Sequence, residues 1–412
     1  MLALLALAEM LGMALWFAAS AAAPQLTLRW ALTPAQVGGL ATAVQLGFVL
    51  GTGLSAVLNL ADVWPARRLF AVAAVAGAAS NLLVIGAPSY AAALAGRALT
   101  GACLAGVYPP AMKMAATWFK ERRGIAIAAI VGALTIGKAT PVLWQAWPTL
   151  PLHVPIVAAS ASAVLGALLV LAFWRDGPHA FPARPFSWRL IGEVTAQRRW
   201  WRATGGYLGH MAELYSYWTW IPAFLGASAA ASAAARGADL AAGLSATSGA
   251  STGTSAPAWV SVLAFATIAV GALGCLWGGI YGDRVGRARI ASRAMLASGA
   301  IAIGIGLGFG RAPWIVGVLA LLWGFFVIAD SAQFSALVTE SVPPHAVGTA
   351  LTLQTSLGFL LTTLTIQLIP PMVAWVGWPG AFALLGLGPL LGVFILRPLV
   401  AEERAARAGA PR

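Results

Sequence analysis

The chain has 412 residues, of which 60% are apolar and only 9% charged, with a mean hydropathy of +0.84. A soluble domain carries charge on about a quarter of its residues, so this composition excludes a water-soluble enzyme and describes a chain lying mostly in hydrocarbon. The formal net charge of +13 would point to nucleic acid in a soluble protein, but its placement in turns between apolar runs excludes that too.

Apolar runs of about twenty residues, each enough to cross a bilayer, occupy 2–24, 35–60, 69–87, 90–118, 125–147 and 154–174. After a basic stretch, six more occupy 203–225, 257–281, 290–309, 313–338, 348–370 and 377–399. The expected fold is an all-α integral membrane protein of twelve transmembrane helices in two six-helix, pseudo-symmetric halves. The expected divisions are a first half at 1–174, a cytoplasmic linker at 175–202, a second half at 203–400 and a cytoplasmic tail at 401–412. The first apolar stretch is as long as a full span and reads as part of the bundle, not as a cleaved signal. With both termini inside, the cytoplasmic turns and tail hold about nineteen of the 25 Lys and Arg residues, and the outer loops three, Arg29, Arg236 and Arg311. That bias sets the expected orientation.

In chain order, the first helix carries a stripe of Glu9, Met13 and Trp16. The turn after the second helix reads Leu58-Asn-Leu-Ala-Asp62-Val-Trp-Pro65-Ala-Arg67-Arg68. In the fourth helix Arg97, Gly101 and Tyr108 share a face, while Lys113 lies 160° from Arg97, so a straight helix cannot show both cations to one cavity. Pro109-Pro110 provides a bend or partial unwinding there. Arg97 is the expected cavity cation, and Lys113 reads either as a second one or as a snorkelling residue. Lys138 falls about 20 Å into the fifth helix, too deep to snorkel readily, beside Thr140-Pro141. It suits either an anionic substrate group or a buried ion pair.

In the linker, Trp188, Trp200 and Trp201 alternate with Arg189, Arg198, Arg199 and Arg202, a pattern suited to an interfacial helix. The seventh helix repeats the first-helix stripe with His210, Glu213, Tyr217 and Trp220. A run of Ala, Ser, Gly and Thr at 228–257 reads as a flexible outer loop. The turn after the eighth helix, Gly279-Ile-Tyr-Gly-Asp283-Arg284-Val-Gly286-Arg287-Ala-Arg289, matches the one at Asp62. Trp323, Phe326, Asp330 and Gln333 make a third stripe on the tenth helix. Gly47-x-x-x-Gly51 and Gly274-x-x-x-Gly278-x-x-x-Gly282 predict close helix approach. Cys103 and Cys275 lie in helices of opposite halves and provide no disulfide framework or metal motif.

The duplicated charged turns, above all Gly279-x-x-x-Asp283-Arg284-x-Gly286-Arg287-x-Arg289, resemble the cytoplasmic signature of the major facilitator superfamily. The first copy keeps Asp62, Arg67 and Arg68 but has Leu58 and Pro65 in place of the signature glycines. The resemblance implies a transporter whose halves rock about a midplane site, with helices one, four, seven and ten lining the path and a monomer as the default. It carries no information about substrate, and the signatures of antiporters and nitrate porters are not matched.

The expected function is alternating-access transport of a small solute, an organic anion, coupled to protons. Arg97, Lys138, Tyr108, Trp16, Tyr217, Trp220 and Trp323 are the expected substrate residues. Glu213, Glu9 and His210 are the expected proton residues, since withdrawal from water penalises the charged form of a carboxylate. Asp62, Arg67, Arg68, Asp283, Arg284, Arg287, Arg289 and Asp330 are the expected cytoplasmic gate. Pairing of Glu9 with Arg97 or Lys138 is the competing structural reading. The alternatives are efflux of hydrophobic or cationic compounds, and a non-transporting sensor of the same fold. No catalytic residues, cofactor, metal or nucleic acid are expected; the lipid bilayer is the expected surrounding. Arginine-rich, alanine-rich composition points to a bacterial inner membrane.

Overall fold

A computed structural model describes residues 1–58, 60–119, 123–147, 149–179, 187–243 and 257–408; the side chains of Ala61, Asp62, Arg123 and 238–243 lie outside that description. The first helix is broken into Leu2–Met13, Ala18–Ala21 and Ala23–Trp30. The second, third and sixth are continuous, at Pro34–Val57, Ala66–Gly86 and His153–Phe173. The fourth is interrupted between Tyr90–Leu104 and Tyr108–Trp118, with the proline pair opening its second piece. The fifth, Arg123–Ala139, tightens into a 3-10 turn at Thr140–Ala146 beginning at Thr140-Pro141.

In the second half the seventh helix is Arg198–Gly243, the eighth Ala258–Ala269 with Gly271–Val285, and the ninth Arg287–Gly304. The tenth is Pro313–Ala329 followed by Ser331–Thr339, interrupted at Asp330. The eleventh and twelfth run continuously as Val347–Leu385, dividing at Gly377 (φ 69°), and the twelfth continues as Leu387–Ala408.

Packing repeats with the sequence. In the first half, helix one packs on five and six, two on four, and three on four and six; in the second half, seven packs on eleven and twelve, eight on ten, and nine on ten and twelve. The halves meet through two against eleven and five against eight, which are again equivalent pairs. Close approach in the two-four pair depends on glycine: a Cβ on Gly47 would strike the backbone of Ala98. Gly278 does the same against Ala329 in the eight-ten pair, as small-residue spacing in a membrane predicts.

Several boundaries differ from expectation. The stretch from Ser228 expected to be unstructured continues the seventh helix to Gly243, and 244–256 lie outside the described residues. Alanine dominates that stretch and favours helix where packing does not oppose it. The tail expected from residue 401 is helical to Ala408. The linker does contain a short helix, Trp188–Thr195, with Trp188 exposed. Trp200, however, is fully buried and donates Nε1–H to the Ala350 carbonyl at 3.2 Å, so it is a core residue and not a headgroup contact.

The break in the first helix leaves backbone carbonyls without helical partners, which hydrocarbon does not tolerate. Arg97, fully buried, answers it: Nη2 donates to the carbonyls of Leu15 (3.0 Å) and Trp16. Its Nη1 donates to Asn81 Oδ1 at 2.8 Å, and Asn81 in turn donates to Ile156 O and Ser160 Oγ. Arg97, expected as the cavity cation, is thus hydrogen-bonded between helices. The planar guanidinium fork serves two directions at once, tying helices one, three, four and six.

Two outcomes follow for stability in detergent, read by thermal unfolding. Arg97→Lys keeps the charge but cannot span Asn81 and the two carbonyls, and should cost on the order of 3 kcal/mol. Gly47→Val should cost about 2–3 kcal/mol through overpacking, whereas Gly53→Val, with open space around it, should leave the melting temperature within about 2 °C of the parent.

Candidate functional site

The buried charge nearest the contact between the halves is Lys138, 1% exposed on the fifth helix. Its ammonium donates to Tyr215 Oη. It sits 3.7 Å from the ring centroid of Trp16, 4.7 Å from Tyr215, 5.3 Å from Trp218 and 6.0 Å from Phe359. Each such contact is attractive through the ring quadrupole, and more so away from water. Phe48 completes the cluster, 5.2 Å from Trp16 and 4.6 Å from Phe359. Trp16, Phe48 and Lys138 come from the first half; Tyr215, Trp218 and Phe359 come from the second. The cage therefore exists only where the halves meet.

Glu9, fully buried on the first helix, is within electrostatic range of Lys138, and among the described residues neither carboxylate oxygen has a hydrogen-bond partner. Trp16 Nε1 is also buried without a partner. The site thus combines one cation, one anion, unused hydrogen-bonding capacity and an aromatic wall. Tyr108, half-buried, packs beside it at the interruption of the fourth helix.

A second polar cluster lies wholly inside the second half. Glu213 Oε1 accepts from Trp323 Nε1 at 2.8 Å and Oε2 from Ser298 Oγ at 2.9 Å. One turn earlier, His210 Nδ1 lies 2.8 Å from Asp330 Oδ1, and Nε2 lies 2.8 Å from Ser331 Oγ. Asp330 sits at the interruption of the tenth helix. It was expected in the gate with the charged turns; instead it is 1% exposed and engaged with His210. A carboxylate withdrawn from water requires such a partner close at hand.

The expected aromatic substrate residues of the second half also have other partners. Tyr217 Oη donates to Ala320 O at 3.0 Å and its ring lies 4.5 Å from Trp323. Trp220 Nε1 donates to Ile366 O at 3.0 Å. Tyr217 and Trp323 pack among helices of their own half, whereas Trp220 also meets helix two of the first half, where a Cβ on Gly38 would lie 2.9 Å from its Cζ2. The seventh-helix face turned to Lys138 carries Tyr215 and Trp218, each two residues, or about 200°, from Glu213 and Trp220. Phe48 and Phe359 were missed because the resemblance pointed to helices one, four, seven and ten as the lining of the path, and neither residue is on them. A signal was present: each phenylalanine follows a glycine, Gly47 and Gly358, in the middle of an apolar run.

At the second charged turn, Arg287 bridges Asp283 at 3.3 Å and Glu340 at 2.9 Å. Asp283 also reaches the other half, where a Cβ on Gly124 would lie 3.3 Å from its Oδ2. Gly124 is in the first turn of the fifth helix, whose N-terminal dipole favours a carboxylate by about 0.3–1 kcal/mol. Glu403 accepts from the backbone N–H groups of Ala288 (2.7 Å) and Arg289 (3.2 Å), capping the ninth helix. Glu340 and Glu403 were not anticipated, being far from the turn in sequence. The Arg284 carbonyl accepts from Arg407. Arg67 is half-buried and Arg68 exposed at the start of the third helix, and the Asp62 side chain lies outside the described residues. On the opposite side of the bundle the halves are joined by Gln367 Nε2 donating to Thr42 Oγ1 at 3.0 Å.

No curated protein sequence matches the chain. Among solved structures it is similar to the human organic anion transporter MFSD10 (TETRAN), at 18% identity and a TM-score of 0.66 over 96% of this chain and 97% of that one. The family model of the major facilitator superfamily matches residues 5–366. With twelve broken and unbroken helices in two equivalent halves, the chain belongs to the major facilitator superfamily of membrane transporters.

Proposed function

We propose that this protein moves a small organic anion by alternating access, coupled to protons, with Lys138 as the counter-charge of the anion. The observation that carries this reading is the position of Lys138. It is a single buried ammonium in a cage shared by both halves, held by one neutral hydroxyl and a carboxylate that makes no hydrogen bond. The likeness to a protein described as an organic anion transporter supports the same substrate class. Trp16, Tyr215, Trp218 and Phe359 supply the apolar wall for the organic part.

An anion arriving at Lys138 displaces the Tyr215 hydroxyl, a bond between the halves, and so acts on their relative position. It also competes with Glu9 for the same ammonium. A buried carboxylate that loses its counter-charge is neutralised most cheaply by a proton. Anion and proton therefore bind together, which is the linkage that coupling requires. Glu213 and the His210–Asp330 pair form the second proton-handling group, and Asp283 with Arg287 latches the charged-turn side. On this reading that side is cytoplasmic, both termini included, in a bacterial inner membrane, and the monomer is the working unit.

A second reading has one observation in its favour. A partnerless Glu9 carboxylate beside an aromatic cage also suits an organic cation, as in export of hydrophobic amines. Currents recorded from liposomes on solid-supported membranes, while switching among organic anions, amines and neutral solutes, separate the two. An anion-evoked response supports the first reading, an amine-evoked response the second, and tight binding without flux would replace both with a sensor.

On the anion reading, Lys138→Met should weaken anion binding about 30-fold or more, the value of a charge-assisted hydrogen bond; unchanged affinity in a binding titration would remove Lys138 from the site. An acid-outside gradient should accelerate anion uptake by the parent. Glu9→Gln should keep counterflow exchange of the anion but lose that acceleration, measured with radiolabelled substrate.

A further inference from the structure

We propose that the groove between the ninth and twelfth helices, at the charged-turn end, binds the headgroup of an anionic phospholipid. The groove has a volume of about 580 Å³ and is lined by Ser292 from the ninth helix and by Val393, Arg397, Val400 and Arg404 from the twelfth. Arg397 and Arg404 are seven residues apart, so they share a face of the twelfth helix about 10 Å apart along its axis. Both are exposed. Among the described residues no carboxylate pairs with either.

The two acids on the same segment are committed elsewhere. Glu402 lies 3.0 Å from Arg202 and 3.8 Å from Arg199, while Glu403 caps the ninth helix. The groove thus keeps two uncompensated guanidinium groups. Ser292, which lines the groove, is 9% exposed, and among the described residues its buried Oγ has no hydrogen-bond partner. Guanidinium forks and a hydroxyl are the donor set that a phosphodiester takes.

The remaining lining separates a lipid from a free phosphate. Val393 and Val400 make the groove apolar between and below the cations, and Phe394, 63% exposed, lies under Arg397 with the guanidinium 5.1 Å from its ring centroid. A free phosphate would lose water against this wall with no return. A phospholipid places acyl chains along it and its phosphate at the arginines, where basic pockets between membrane helices meet anionic headgroups. Such a ligand would bridge the ninth and twelfth helices beside the Asp283–Arg287 turn.

The test is native mass spectrometry of the delipidated full chain titrated with phosphatidylglycerol, with phosphatidylcholine of the same acyl chains, and with phosphatidylglycerol in the presence of millimolar inorganic phosphate. One phosphatidylglycerol should bind in preference to phosphatidylcholine and resist inorganic phosphate. Each near-surface arginine contributes roughly fivefold in affinity, so Arg397→Gln with Arg404→Gln should weaken that binding about 25-fold. Arg189→Gln with Arg198→Gln removes the same charge from the linker region and should leave it unchanged. Val400→Trp fills the groove with both arginines intact and should also abolish the preference. Equal retention of the two lipids, equal loss in groove and linker variants, unchanged binding in Val400→Trp, or displacement by inorganic phosphate would overturn the proposal.

Discussion

An ammonium far from water must be compensated from every side, and in this protein neither half does so alone. Lys138 belongs to the first half, but three of the four rings around it and its hydroxyl partner belong to the second. Compensation therefore depends on the two halves being together, and anything that changes the charge around Lys138 changes what holds them. The equivalent contacts of helix two with eleven and five with eight frame this point. On the proposed alternating-access reading, in which the halves separate and rejoin, such an arrangement has a use.

The polar groups away from this point divide into those that brace and those that respond. Arg97 braces: its two terminal guanidinium nitrogens donate to Asn81 and to carbonyls freed by the break in the first helix. Without it the break would expose backbone to hydrocarbon, and Trp16, which sits in that break, would not be held above Lys138. The Glu213 and His210–Asp330 groups are different. They lie inside one half, on helices seven, nine and ten, and link a carboxylate at a helix interruption to an imidazole. On the proposed reading, a proton exchanged there would act within the half, whereas one exchanged at Glu9 would act on the contact between halves.

The charged turns show how a short motif is completed by distant residues. Asp283 lies in the last turn of the eighth helix and Arg287 opens the ninth, but the acid that finishes the bridge, Glu340, comes from the end of the tenth helix, and the cap of the ninth helix comes from Glu403. Asp283 also faces the start of the fifth helix. Each contact is modest because it lies near water, which suits the latch proposed for this turn.

The sequence by itself determined the number of spans, the duplication, the charged turns, the interruption at Pro109-Pro110 and the close glycine contacts. Each of these is written in local chemistry: hydropathy, charge placement, and residues that break or narrow a helix. It also picked out Lys138 and Glu9, because charge in hydrocarbon is conspicuous wherever it sits. What it did not contain was the rotation of each helix about its own axis. Tyr217, Trp220 and Trp323 were as plausible as Tyr215, Trp218 and Phe359 by composition, and Arg97 as plausible as Lys138. Packing of small residues, and the partners demanded by broken backbone, turned one set toward Lys138 and the other away from it. That choice depends on groups more than seventy residues away, and only the assembled bundle brings them together.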